Sequence, residues 1–231
     1  MRWRQIAEDV AVLSFPLRGF GIDFGRNVTL LRLRDGRLVI HSTADFSEDD
    51  VEAIRQFGEP AWLVDATVMH DTFAKSARGI FPRLPYLAPG GFSKASGVAT
   101  GSLVPPPSEW SGEIEVLPIA GLRMPKEHVF YHRRSRTLVV ADLLFHFSAE
   151  TGGWPRFFAR HFMRLPRLRG ISAFFKLMIR DRGAFERSME ELLRWDFTQI
   201  VVGHGEPMQS SVRQVLEEAL RARGFRIGHR N

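Results

Sequence analysis

Gln199-Ile200-Val201-Val202-Gly203-His204-Gly205 is the stretch on which the fold turns. Its apolar, β-branched start reads as a buried strand. The strand stops at a histidine held between two glycines. Glycine allows positive φ and close backbone approach, so the imidazole is presented from a tight turn. An imidazole in that position serves as a metal ligand or a catalytic group. Thr137-Leu138-Val139-Val140-Ala141-Asp142 repeats the design, with a carboxylate at the strand mouth. Such a carboxylate is costly unless it is solvated, paired or bound to a metal.

In order, TLVVADLLF (137–145) and IVVGHGEP (200–207) resemble the metallo-β-lactamase superfamily of hydrolases, in a divergent bacterial branch where a lone histidine replaces the fuller motif. The resemblance spans residues 10–222. It implies an α/β fold, the four-layer αββα sandwich of the metallo-β-lactamase type. In that family a strand ending in aspartate gives the bridging carboxylate, and a later strand ending in Gly-His-Gly gives another ligand. Asp142 and His204 take those places here.

The family's His-x-His-x-Asp-His motif follows the strand after the first helix. The matching stretch is Val64-Asp65-Ala66-Thr67-Val68-Met69-His70-Asp71-Thr72-Phe73, where Thr67 and Met69 stand for the first two histidines. The turn Gly121-Leu122-Arg123-Met124-Pro125 also lacks the histidine the family carries before its bridging aspartate. The resemblance therefore implies a reduced site: His70, Asp142 and His204 as metal ligands, with His70 and Asp71 as catalytic candidates, Asp71 as a further ligand or base. It implies one divalent ion, zinc or iron, or none. The activity implied is hydrolysis of an ester, thioester, lactone or phosphoester by a metal-bound hydroxide. The alternative is a non-catalytic protein of this fold that binds an anionic ligand, a membrane surface or a partner. A mononuclear iron protein with redox chemistry is a third reading. Cleavage of β-lactams is not implied, because fold does not carry substrate. Structural roles compete at each position: Asp142 as cap of a helix from Leu143, Asp71 as cap of a helix through residues 73–75, His204 as a turn histidine.

Composition bounds these readings. The chain has 231 residues, 44% of them hydrophobic, enough for one large domain or two small ones. It reads as a single domain over 1–231. Cysteine is absent, so disulfides and thiolate metal sites are excluded. The first residues lack the apolar core of a signal peptide, and no apolar run reaches the roughly 18 residues of a membrane helix. The expected location is cytoplasmic. The net charge of +6, largely arginine, permits an anionic small-molecule substrate or peripheral membrane contact. No nucleic-acid motif accompanies it.

Along the chain, 10–15 and 28–33 read as strands, and 38–41 pairs back across an Asp35-Gly36 turn. Ser47 and Asp50 start a helix that runs to about Gln56. Residues 61–64 form a short strand, 76–78 finish a short helix, and 80–91 read as a Pro/Gly-rich loop. Pro105-Pro106-Pro107 marks a linker before a strand at 114–118, and 128–131 with 137–141 form a second hairpin. Residues 154–195 are mostly helical. A last helix at 211–222 puts Val212, Val215, Leu216 and Ala219 on one face.

Within 155–182, arginines alternate with Phe157, Phe158, Phe162, Phe174 and Phe175, and Asp181 is the only acid. This basic aromatic segment is expected to pack its phenylalanines inward and solvate its arginines. It also suits a rim that attracts an anion, or an interfacial surface. Pro166 divides it into two short elements. Among the remaining histidines, His41 is expected as an ordinary strand-end residue, and His128 and His132 as surface residues of a hairpin. His146 and His161 lie near the presumed rim, and His229 in a basic tail. Glu127 is expected to pair with an arginine.

Overall fold

The computed structural model describes residues 3–124 and 126–227; His229 lies outside them. The first half runs β1 (Trp3–Ala7), β2 (Val10–Phe15), β3 (Arg18–Gly19), β4 (Ile22–Asp23), β5 (Arg26–Arg32), β6 (Arg37–His41), α1 (Glu48–Phe57), β7 (Glu59–Val64), α2 (Ala74–Ile80), β8 (Tyr86–Ala88), α3 (Phe92–Ser96) and β9 (Gly101–Ser102). The second half runs β10 (Ile114–Pro118), β11 (His128–His132), β12 (Thr137–Val140), β13 (Phe145–His146), α4 (Gly153–His161), β14 (Arg169–Gly170), α5 (Ala173–Met178), α6 (Arg182–Leu192), β15 (Gln199–Val202) and α7 (Val212–Ala222).

Two sheets carry the architecture. The first has the order β1-β2-β5-β6-β7-β8-β9, and the second β10-β11-β12-β15. Strand alternation dictates how they stack. In β2, Leu13 and Phe15 face a core shared with Ile54 of α1, Ala77 of α2 and Phe92 of α3. Val10 and Val12 face the opposite way, into a core shared with Phe130, Val139 and Val201 of the second sheet. In β12 and β15 it is Leu138, Val140, Ile200 and Val202 that face outward, against Phe185 and Met189 of α6 and Leu216 of α7. Helices, sheet, sheet and helices thus form four layers. Among the described residues no helix is long and apolar enough to cross a membrane.

Local signals are obeyed. Ser47 accepts from the Asp50 backbone while the Asp50 side chain returns to the Ser47 backbone, a full capping box. At the β5–β6 turn Gly36 has φ +87, and Arg37 N–H donates to Asp35 Oδ1 at 3.0 Å.

Three expectations need correction. The 80–91 segment holds a strand: β8 pairs in parallel with both β7 and β9, and its flanking prolines and glycines hid three residues too few to show a period. His132 is fully buried rather than on the surface, because β11 is covered by the first sheet. It bridges Ser135 Oγ at 2.7 Å and the Arg32 carbonyl at 3.2 Å across the two sheets. His128 is largely enclosed as well, and burial pushes its imidazole down to about 4.

His41 is also buried, edge-on to Phe130 at 4.8 Å, with no partner for Nε2. Burial lowers its pKa to about 4 from 6.5. The unfolded chain therefore binds more protons between those values. The stabilising contribution is complete above pH 6.5 and is lost as the pH falls toward 4. Between pH 7 and 4.5 the protein is expected to lose about 2 kcal/mol more stability than a His41→Asn variant. Urea unfolding of both at the two pH values measures this; parallel losses would show that His41 carries no such linkage.

Candidate metal centre

The site is built where strands end. β12 and β15 are parallel neighbours, in register Val140↔Val202. The next residues therefore leave the sheet side by side, with Gly203 N–H donating to the Ala141 carbonyl at 3.3 Å. That places Asp142 beside His204, at the carboxyl ends of parallel strands where α/β sheets bind ligands.

The glycines around His204 are steric necessities. A Cβ on Gly203 would lie 2.7 Å from the Ala141 carbonyl oxygen. Gly205 has φ +100, and a Cβ there would collide with the His146 carbonyl. That carbonyl accepts from Glu206 N–H at 2.6 Å, and His146 N–H donates to the His204 carbonyl at 3.3 Å. The chain after Asp142 thus folds back onto the Gly-His-Gly turn, and no helix begins at Leu143 for Asp142 to cap. Glu127 clamps the same bend. Its carboxylate accepts from the backbone N–H groups of Ala141, Asp142 and Leu143 at 2.9, 3.0 and 3.2 Å. It makes these bonds in place of the arginine pair expected from sequence. Burial, with Asp142 nearby, pushes the Glu127 carboxyl up to about 8, against those three donors.

The third residue arrives from the first sheet. After β7 the chain makes a single 3₁₀ turn, Val68–His70, in which the Met69 N–H donates to the Thr67 hydroxyl. Thr67 therefore caps the turn, Met69 points outward and half exposed, and His70 is buried.

His70 Nε2 lies 3.6 Å and His204 Nε2 3.4 Å from Asp142 Oδ1, and all three ligand-capable atoms fall within 4.8 Å of one another. His204 Nδ1 donates to the Gly25 carbonyl at 2.6 Å, which leaves its Nε2 lone pair on the Asp142 side. His70 Nδ1 lies 3.3 Å from Ser42 Oγ. Burial, with Arg26 close by, pushes the His70 imidazole down to about 3, so it is neutral at pH 7. Burial works against the Asp142 carboxylate, and the adjoining His70 and His204 rings lower its pKa overall. His70 Nε2 and Asp142 Oδ2 are buried with no hydrogen-bond partner. Unpartnered polar atoms of His70 and Asp142 thus face a shared space beside His204, an arrangement a cation resolves. Donors about 2.0–2.1 Å from a tetrahedral ion stand roughly 3.4 Å apart, close to the two histidine–Asp142 spacings here. The residues fit a divalent ion with one nitrogen from each histidine and a carboxylate oxygen.

Asp71 is not part of this cluster: its half-buried side chain supplies none of the converging atoms. Nor are His41, His146 or His161. His146 Nδ1 bonds the Glu206 carbonyl, and His161 is exposed against Phe157.

Five neighbours were not singled out from the sequence: Arg26, Ser42, Thr43, Asp65 and Tyr86. Arg26, at the start of β5, is 1% exposed and donates to Ser42 Oγ at 2.9 Å, with Asp65 at 4.0 Å. Its Nε has no partner. Burial lowers its pKa, while Asp65 and Asp142 oppose the shift. Asp65 is held by Thr43 Oγ1 at 2.9 Å and by the Tyr86 hydroxyl, and burial lifts its carboxyl to about 6 against Arg26. Ser42 has φ +75, a left-handed strain of the kind found at functional sites. A charged residue opening an otherwise apolar strand was the available signal for Arg26.

His70, Asp142, His204 and Arg26 share a cavity of about 440 Å³. Phe145 stacks on the His204 ring at 5.4 Å. The remaining wall is almost wholly aromatic and aliphatic, drawn from the β3–β4 hairpin, α4 and α5. Phe162 and Phe174 are exposed there, against the expectation that the phenylalanines of 155–182 pack inward; only Phe175 is fully buried. α4 instead covers the small cluster of Phe145, Met163, Leu165 and Leu168 through Ala159.

No family model and no curated protein matches the chain by sequence. Solved structures do. DIM-1 metallo-β-lactamase aligns over 96% of both chains at TM-score 0.63 and 17% identity. The chain has the metallo-β-lactamase fold. A metallo-β-lactamase from Erythrobacter litoralis aligns over 96% of this chain and 95% of its own at TM-score 0.68 and 13% identity. FIM-1 from Pseudomonas aeruginosa, solved in a mono-zinc form, aligns over the same shares at TM-score 0.60 and 10% identity. The four-layer metallo-β-lactamase architecture implied by residues 137–145 and 200–207 is therefore the observed one.

Proposed function

We propose that this chain is a metal-dependent hydrolase acting on an ester, thioester, lactone or phosphoester. One observation carries the reading. An imidazole nitrogen from each of His70 and His204 converges with the Asp142 carboxylate in one cavity, and His70 Nε2 and Asp142 Oδ2 are buried there with no hydrogen-bond partner. His70 Nε2, Asp142 and His204 Nε2 would hold the ion, zinc or iron. A divalent ion bound there supplies Lewis acidity and makes water available as a nucleophile near neutral pH.

The protein supplies the rest. The Gly25 carbonyl orients His204, Ser42 stands against His70, and Glu127 fixes the bend bearing Asp142. Arg26 places a fixed positive charge on the floor, where negative charge grows on a reacting carbonyl or phosphoryl oxygen. The aromatic wall keeps bulk water away and strengthens that interaction.

The test is a panel of p-nitrophenyl acetate, an acyl thioester, a γ-lactone and bis(p-nitrophenyl) phosphate, with protein loaded with zinc or Fe(II) and then stripped by chelator. At least one substrate is expected to turn over, to stop with chelator, and to slow at least about 100-fold in His204→Ala. A loaded, folded protein that cleaves none of them would leave the non-catalytic reading.

A further inference from the structure

The wall and mouth of the cavity carry more information than its floor. The charged and imidazole groups of the lining, Arg26, His70, Asp142 and His204, gather together, and Thr72 and Ser172 are its other polar residues. Phe24, Phe145, Phe158 and Met163 belong to the rest of the lining, an apolar sleeve in which only Thr72 and Ser172 carry hydroxyls. At the mouth the apolar surface continues into solvent, with Phe20 79%, Phe162 60%, Phe174 53% and Met69 44% exposed. Large exposed apolar residues gathered at one opening mark a binding surface.

Phe20 is held there at some cost. It sits at the tip of the β3–β4 hairpin with φ 52, a left-handed conformation uncommon for a bulky residue, followed by Gly21 at φ 74. Two contacts keep it over the cavity. The Trp154 indole N–H donates to the Phe20 carbonyl at 2.9 Å, and the Phe20 ring stacks on Phe158 at 5.8 Å.

We propose that the ligand of this cavity is a single-chain amphiphile. Its polar acyl head sits on the floor beside Arg26, and its unbranched apolar tail runs up the sleeve and out past Phe20, Phe162 and Phe174. A head in this position suits a carboxylate, or an ester that becomes one, because Arg26 offers a buried positive charge with an unpartnered Nε. A small polar ester would leave the sleeve empty. A bulky rigid bicycle would not use its length. As a statement about substrate this rests on the hydrolase reading: an acyl ester and water give the fatty carboxylate, the alcohol and a proton. The carbonyl–alkoxy bond breaks, a new carbon–oxygen bond forms from water, and one water proton leaves with the alcohol.

Two measurements separate the claims. The first is binding of 11-(dansylamino)undecanoate, read by dansyl fluorescence and displaced by octanoate, decanoate and dodecanoate. Affinity is expected to rise about four-fold per methylene buried. It is expected to fall at least five-fold in Phe162→Ser, whose ring is already largely exposed. The second is kcat/KM of the wild-type protein on p-nitrophenyl esters from acetate to dodecanoate, expected to climb with chain length and then level off. This needs no variant to fold. Chain-length-dependent binding without ester turnover keeps the amphiphile site and removes the hydrolase. Ester turnover that is flat with chain length, with no dansyl binding, keeps the hydrolase and overturns the amphiphile.

Discussion

Asp142→Ala is expected to purify almost free of metal, where the wild-type protein carries close to one equivalent. Asp142 is the only carboxylate in the cluster of described residues and lies between the two imidazoles, at 3.6 and 3.4 Å. Without it two imidazole nitrogens remain, too few to hold a divalent ion against water or buffer. Loss of supporting groups alone costs 10–100-fold in metal affinity. Loss of a ligand should cost more than about 100-fold. Elemental analysis reads occupancy directly. Thermal unfolding gives an independent answer, because an ion that binds only the folded state stabilises by about 2.7 kcal/mol at 100 times its Kd. Added zinc or Fe(II) should raise the melting temperature of the wild-type protein and leave that of Asp142→Ala unmoved. A variant that keeps its metal, or a folded wild-type protein that cannot be loaded, would remove His70, Asp142 and His204 as the metal site.

Gly205→Ala is expected to cost about 3 kcal/mol or more of stability. Two penalties add there. The backbone is left-handed at φ +100, a conformation that costs an L-residue roughly 1–2 kcal/mol. The new methyl also meets the His146 carbonyl and, at 3.1 Å, the Phe147 nitrogen. Both belong to backbone, and the carbonyl is tied to Glu206 N–H, so neither can move without breaking the turn. Gly36→Ala is the internal control. Gly36 has φ +87, but a Cβ there meets nothing within 4 Å, so only the conformational penalty applies. Denaturant unfolding of the two variants isolates the steric part. Equal midpoints would mean that the Gly-His-Gly turn has slack and that the second glycine is not required by packing.

Legibility in the sequence followed the range of the interaction. The strand ends at 137–142 and 199–205, the Ser47–Asp50 cap and the Asp35-Gly36 turn were readable because each depends on neighbours within a few residues. The framework of the candidate site followed from the same signals. Its supporting groups did not, because they meet across elements. Arg26 reaches Ser42 from another strand, Asn27 ties β5 to the Val202 and Gly205 carbonyls through its side chain, and Glu127 reaches forward to the bend after β12. No local pattern announces such partners. β8 was hidden because a buried parallel strand of three residues has no periodicity to show. The exposed phenylalanines of α4 and α5 defeated the inward-packing expectation because amphipathic spacing locates a helix face, not what covers it.

Asn27 also bears on the order in which the molecule comes into being. Its N–H donates to the Gly203 carbonyl at 2.9 Å, which joins β5, third in the order of the first sheet, to the turn after β15, the last strand of the second sheet. A ribosome extends a chain at about 5–20 residues per second, and early segments can begin to fold before later ones exist. The first sheet can close early, but Arg26 and Asn27 then wait, paired only within their own half, until His204 has been made. Contacts of such high sequence separation form slowly, after the loop entropy has been met. The ion would be among the last things to bind, and its uptake would report that both halves of a newly synthesised chain had docked.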